Sequence, residues 1–173
     1  DFEKTLNQAQ TLYNKVHPIN LPIGQGDKFI GVVDLIKQKA YIDTPNGLEE
    51  KDIPTDLKEK AKKYREELME AAAENSEDLL EKYLEKGDLT EQELIKGIKL
   101  GVIAQDIVPL MVGSANKNIG IKKLVETLSQ LAPNPIEKNR LLSCITENEQ
   151  KEFIEIKNDG QCVIQIFKIC DES

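Results

Sequence analysis

The stretch that most constrains this chain is residues 106–120, DIVPLMVGSANKNIG. Residues 107–112 form a short apolar run. The run stops at Gly113, passes through Ser114, Ala115 and Asn116, and gives way at Ile121 to a pattern of helical period that lasts to Leu131. Strand, tight loop and helix in that order form the repeating unit of an α/β sheet, whose ligands sit at the carboxyl ends of its strands. A Gly-Ser-Ala turn at such an end presents backbone N–H groups. The Ala115 N–H would donate to the O6 carbonyl of guanine, whereas adenine would set an amino donor against it, so the turn has a physical basis for selecting guanine. The same tripeptide also serves as a plain strand-to-helix turn.

The rest of the chain is placed around this unit. Phe2, Leu6, Ala9, Leu12, Tyr13 and Val16 predict a helix over 2–15, ended by His17-Pro18. His17, the only histidine, then reads as a turn residue at the helix exit, with no Ser or Cys motif nearby to form a triad. Residues 19–23, 29–35 and 39–42 read as three strands of a small antiparallel sheet, with turns at 24–27 and at Thr44-Pro45-Asn46-Gly47. Gly24-x-Gly26 lacks the third Gly, the Lys-Ser/Thr pair and the following helix of a phosphate loop. Pro54-Thr55-Asp56 opens the longest helix, with Leu57, Ala61, Tyr64, Leu68 and Ala72 as its apolar stripe, and Asn75-Ser76 breaks and re-caps it. A second helix over 77–86 is expected to bury Leu79, Leu80, Tyr83 and Leu84 and to stop at Gly87. Thr90 and Glu93 form a capping box for a third, expected to end at Leu100-Gly101 with Gly in the left-handed position. The helix from Ile121 is expected to bury Ile121, Leu124, Val125, Leu128 and Leu131. Residues 134–150 read as a linker, and 153–156 and 162–169 as two strands about the turn Asn158-Asp159-Gly160.

Charge singles out the long helix. Lys58, Lys60, Lys62, Lys63 and Arg65 dominate its first half. Glu66, Glu67, Glu70, Glu74, Glu77, Asp78 and Glu81 then follow without a base. This order opposes the helix dipole, and Glu66–Glu70 and Glu70–Glu74 are like-charge pairs at i, i+4, so local stability does not explain it. A solvated face is one reading. An acidic docking face for a basic partner is the other, with Glu70, Glu74 and Glu77 on one side if the helix continues past Ser76.

Composition excludes several classes. A net charge of −8 and 5% aromatic residues poorly equip the chain to track phosphates or stack bases, so no direct sequence-specific nucleic-acid binding is expected. No apolar run approaches the ~20 residues of a membrane span, and no signal peptide is present. Cys144, Cys162 and Cys170 show no C-x-x-C spacing and read as free thiols of a reducing cytoplasm. No G-x-x-x-x-G-K-[ST] loop occurs, so phosphoryl transfer by this chain alone is not expected. The chain starts at Asp1 without Met and ends at Ser173 after a β-like run, and both ends read as cuts through a longer protein.

PINLPIG, FIGVVDLIKQKAY, LMEAAAENSEDLLEKYL and GSANKNIG, in this order, resemble translation elongation factor G from about Asp1 to Pro135. The resemblance implies an α/β fold with an α+β insert: a remnant of a P-loop-type GTPase sheet carrying a G′ insertion of a small antiparallel sheet packed with helices. Residues 1–16 and 107–132 would be the last part of the GTPase domain, 17–106 the G′ subdomain, 133–150 a linker, and 151–173 the start of a domain II β-barrel. Gly113, Ser114 and Ala115 would belong to the guanine-binding loop of an intact GTPase that uses GTP and Mg²⁺, with no cofactor in this part. Glu66, Glu70, Glu74 and Glu77 would dock the ribosomal stalk protein. The family usually has Phe where this chain has Asn116, and residues 136–160 match poorly. Ribosomal-protection GTPases and specialised copies are related, and an acidic interaction module outside translation is a further alternative. The long run LMEAAAENSEDLLEKYL favours elongation factor G.

Overall fold

Asp1 caps the first helix, α1 (Phe2–Leu12), its carboxylate accepting the N–H of Glu3 at 3.0 Å. The helix ends before residue 15 because Tyr13 turns into extended backbone. The chain then forms β1 (Val16–Pro18), which pairs in parallel with β6 (Val108–Leu110) in the register Val16↔Val108 and Pro18↔Leu110. His17 therefore sits in the middle of a strand, not in a helix-exit turn.

In this computed structural model residues 1–134, 136–137, 141–145, 151–155, 157 and 159 are described. The chain divides into two units, Asp1–Ala132 and Pro133–Ser173. The first combines the small parallel pair with a four-stranded antiparallel sheet in the order β2 (Asn20–Ile23), β3 (Gly31–Asp34), β4 (Lys39–Thr44) and β5 (Gly47–Lys51). The fourth strand was not expected: its sequence, GLEEK, is polar, and it is an exposed hairpin arm turned at Gly47 (φ +122°).

Three helices follow: α2 (Thr55–Ala73), α3 (Glu77–Lys86) and α4 (Glu91–Ala104). The α2 stripe packs as its spacing predicts, with Ala61, Tyr64, Leu68 and Ala72 buried. Gly97 lets α4 approach α2 closely, since a Cβ there would lie 2.9 Å from that of Ala72. The Thr90–Glu93 capping box forms, and Gly87 closes α3 at φ +69°. Two expectations are corrected here. Gly101 does not end α4, which runs to Ala104 and closes on a left-handed Gln105. It is buried against Ile107, so its missing side chain serves packing. On α3 only Leu79 is buried, while Leu80 and Leu84 are exposed.

Arg65, the last base before the acidic run, is a buried bracket. It donates to the carbonyls of Leu35 and Ile36 at 2.8 and 2.7 Å and to that of Leu89 at 3.2 Å. The principal core joins Leu6, Val16, Leu21, Val33, Leu68, Leu94, Ile98 and Ile107 across these elements.

The last helix of the unit, α5 (Ile121–Leu131), presents a different face from the one expected. Lys123, Thr127 and Leu131 are buried, while Val125 and Leu128 are more than half exposed. The sheet supplies the reason. Lys123 Nζ bonds Asp34 and Glu126, both at 2.9 Å, and lies 4.2 Å from the centre of the Tyr41 ring. Glu126 in turn binds Lys37 at 2.7 Å. Burial works to lower the Lys123 ammonium pKa, but the Glu126 and Asp34 carboxylates outweigh it and hold the pKa above the ordinary lysine value.

The second unit contains β7 (Leu141–Ile145) and β8 (Lys151–Glu155), paired antiparallel from Leu141↔Glu155 to Ile145↔Lys151. A strand thus occupies part of the stretch expected to be a linker. The strand expected over 162–169, Asn158 and Gly160 of the expected turn, and the side chains of all three cysteines lie outside the described residues.

Candidate functional site

The strand β6 ends at Leu110, before the end of the apolar run at Val112, and the loop follows. Ser114 and Ile119 pair across the loop through two backbone bonds of 2.9 and 3.0 Å, and the Asn118 N–H closes on the Ala115 carbonyl at 3.1 Å. Ser114 Oγ accepts the Lys117 N–H at 3.4 Å. These bonds turn residues 114–119 into a small closed hairpin. Ala115 stands at its exposed end, and its N–H has no acceptor among the described residues. Asn116 beside it is exposed as well.

The hairpin is anchored from outside its own strand and helix. Ile119 is buried with Phe29, Val32 and Tyr41, a second small core on the antiparallel sheet. The Gly120 N–H donates to Asp43 Oδ2 at 2.8 Å. Lys117 Nζ donates to the carbonyls of Gly26 and Asp27 at 3.1 and 3.2 Å. At the loop entrance the buried Asn20 side chain clasps the Val112 backbone on both sides, accepting its N–H at 2.7 Å and donating to its carbonyl at 3.3 Å. Asn20, Asp43 and Lys117 were not singled out from sequence. A lone polar residue inside the apolar run PINLPIG was the only signal for Asn20, and Asp43 and Lys117 meet their partners across some 80 to 90 residues.

Beside the loop lies an open cleft of about 440 Å³, lined among others by Asp1, Phe2, Pro22, Gly24, Met111, Gly113 and Ser114. It sits between the start of α1 and the carboxyl end of β6. Ala115 is not among the residues that line it.

The acidic residues are distributed differently. Glu70 and Glu74 line one cleft of about 650 Å³ together with Glu67, His17 and Asp106. Glu66, one turn earlier, lines another cleft with Arg65 and Asp88, and pairs with Lys62 at 3.8 Å. Glu77 does not continue the face, because α2 stops at Ala73 and Ser76 is extended (φ −158°, ψ 128°) before α3 begins. The structure therefore joins Glu70 with Glu74 and places Glu77 on a separate helix. Glu70, Glu74, Glu77, Asp78 and Glu81 have no cation within 4.0 Å among the described residues. Burial pushes His17 below the ordinary histidine value, against the pull of the Glu67 and Glu74 carboxylates.

Among the described residues no group of three or more His, Cys, Asp or Glu side chains is placed to hold a metal ion. No helix among them is long and apolar enough to cross a membrane.

No family model matches the chain. A crystal structure of a protein from Thermus thermophilus is similar to it, with a TM-score of 0.73 and 29% identity over 83% of this chain. This chain spans 22% of the length of that protein, so the fold described here is one found within a much larger polypeptide.

Proposed function

We propose that the chain is the part of an elongation-factor-G-type translational GTPase that reads the guanine base and docks the ribosomal stalk. One observation carries this reading. Two adjacent parallel strands, β1 and β6, are separated in sequence by a complete α+β unit, and β6 leads into a closed loop whose Ala115 N–H is exposed and unpaired among the described residues. In such a factor Gly113, Ser114 and Ala115 contact the base of GTP or GDP, and residues 17–106 are the inserted G′ subdomain. Residues 1–16 and 107–132 close the GTPase domain, and the paired strands β7 and β8 belong to the start of a second domain. Phosphates and Mg²⁺ would be held by elements outside these residues, so the chain by itself hydrolyses no GTP.

Two further features fit. A parallel sheet is ordinarily covered on both faces, yet β6 here is partly open at Val108. Leu12, Tyr13, Val125 and Leu128 on and beside the flanking helices are also exposed, as expected of surfaces meant for the rest of a GTPase domain. At the acidic end of α2, Glu70 and the adjoining Glu74 have no cation within 4.0 Å among the described residues, which suits electrostatic capture of a basic stalk domain.

The test titrates the chain with the C-terminal domain of a ribosomal stalk protein. Binding should weaken with rising salt and fall at least about tenfold in a Glu70→Lys, Glu74→Lys double variant, the loss of roughly two charge contacts. Binding that ignores charge reversal, or none at all, would sink the docking role. Calorimetry with GTP and Mg²⁺ should show no binding to the chain, and micromolar affinity there would overturn the assignment of the phosphate site to other residues.

A further inference from the structure

We propose that Asp43 and Lys117, backed by Asn20, are positioning residues for the guanine contact: the antiparallel sheet of the insertion is the seat that holds the 113–120 loop with Ala115 N–H projecting. This inference rests on the guanine-loop reading above and adds to it the residues that make the loop rigid.

A strand-to-helix loop is ordinarily held by its own strand and helix. Here its entrance, tip and exit are each tied to residues 20–43. At the entrance, Asn20 satisfies both backbone groups of Val112. Near the tip, Lys117 reaches two carbonyls of the 26–28 turn and approaches the Asp27 carboxylate at 3.6 Å. At the exit, Asp43 takes the Gly120 N–H, a donor that α5 itself leaves without a side-chain cap. Between tip and exit, Ile119 fills a pocket of the sheet with Phe29, Val32 and Tyr41. The loop spends its backbone bonds internally and its side chains on the sheet. Ala115 N–H is one of the donors left over among the described residues, on an exposed residue of the anchored loop.

Fixing matters because a single N–H discriminates between bases only when it is held within about half an ångström of its productive position. A site built to bond one carbonyl rejects a base that lacks it, since the donor then goes unpaired. A loosened loop would lose that discrimination first and general affinity second. The seat also gives the insertion a direct hold on the nucleotide site through Asp43, on the strand β4, without passing through the phosphates.

Two measurements test this. On the full-length factor, GDP is compared with the 5′-diphosphate of 2-aminopurine riboside, which keeps the 2-amino group and lacks O6 together with the N1–H. Asp43→Ala and Lys117→Met should each weaken GDP about tenfold, the size of one lost hydrogen bond, and change the O6-less analogue less than about twofold. Asp43→Asn, which keeps an acceptor oxygen, should restore most of the loss. Equal weakening of both ligands, or no weakening of GDP, overturns the proposal. On the 173-residue chain, amide exchange at Ser114, Ile119 and Gly120 should accelerate at least about tenfold in Asp43→Ala while that of α2 and α4 stays unchanged, as local opening predicts. Unchanged exchange in the loop overturns the seat. A wild-type factor that fails to distinguish the two nucleotides removes the guanine reading instead, and the exchange result then decides the seat by itself.

Discussion

The 113–120 loop and the acidic end of α2 are both exposed, and they are built in opposite ways. The loop is bonded to itself and to the sheet beneath it, and the Ala115 N–H is among the loop donors left without an acceptor among the described residues. Beyond Glu66 and Glu67, which pair with Lys62 and Lys63, the acidic end is a set of carboxylates without cations among the described residues, on one helix that stops and another that starts afresh. Reading the edge of a small planar molecule demands fixed geometry. Attracting a macromolecule of opposite charge demands only field, which solvated, mobile side chains supply. The difference teaches that one exposed region of this chain is held by bonds to residues far off in the sequence, while Glu70 and Glu74 are tied to no described cation.

Four substitutions or conditions would break or sharpen that contrast. The largest effect is expected at Lys123. Replacing it with Ala strands Asp34 and part of Glu126 beneath α5 and should lower stability by about 3–5 kcal/mol, read from urea unfolding followed by circular dichroism. A loss under about 1 kcal/mol would mean that α5 is not locked to the sheet. Next comes Gly120→Ala. Gly120 sits at φ +76°, and a Cβ would meet the Val112 carbonyl at 3.0 Å, so a destabilisation of about 1–2 kcal/mol is expected. A neutral result would show that the loop yields.

Acid titration is the third. Lys37 and Lys123 pull the Glu126 carboxyl down to about 2 from an ordinary 4.5. A depressed carboxyl stabilises the fold above its unfolded pKa and stops doing so as pH falls through the folded one. The contribution should therefore disappear between about pH 4.5 and 2, and a Glu126→Gln variant should show a flatter melting-temperature profile across that window. Identical profiles would remove Glu126 from the lock. The smallest effect belongs to the acidic end. Glu70→Gln relieves two like-charge pairs at i, i+4 and should raise stability by about 0.2–0.5 kcal/mol at low salt. A clear loss of stability would reveal a partner for Glu70 and spoil the contrast.

Much of the fold was legible because its signals are local. The Thr90–Glu93 box, the helix stop at Gly87, the Pro54 helix start and the Asn75-Ser76 break each depend on a few adjacent residues, and each formed. Misreadings arose where a distant partner decides. Gly101 looks like a helix terminator until Ile107 packs on it. Val125 and Leu128 look like a core stripe, yet α5 turns Lys123 inward because Asp34 and Tyr41 await it. GLEEK has no apolar alternation, since an edge arm of a hairpin buries little. Of the candidate site, the loop and its free donor were legible and its anchors were not. The acidic run was legible as charge, but the break between the helices moved Glu77 out of the face with Glu70 and Glu74.

The clasp between Asn20 and Val112 joins residues 92 apart in the chain. This separation sets an order of assembly. Closing so long a segment in the unfolded chain carries an entropy that only three paired residues of β1 and β6 would offset. The strands β2 to β5 and the helices α2 and α3 meet mostly near neighbours in sequence and can condense first, bringing residues 20 and 106 close together. The parallel pair, and with it the loop, would then form last, over an already folded foundation. On a ribosome the insertion emerges before β6 does, so β1 must wait through its synthesis with an unpaired edge. A slow or weakened insertion would thus delay the 113–120 loop even where every residue of that loop is intact.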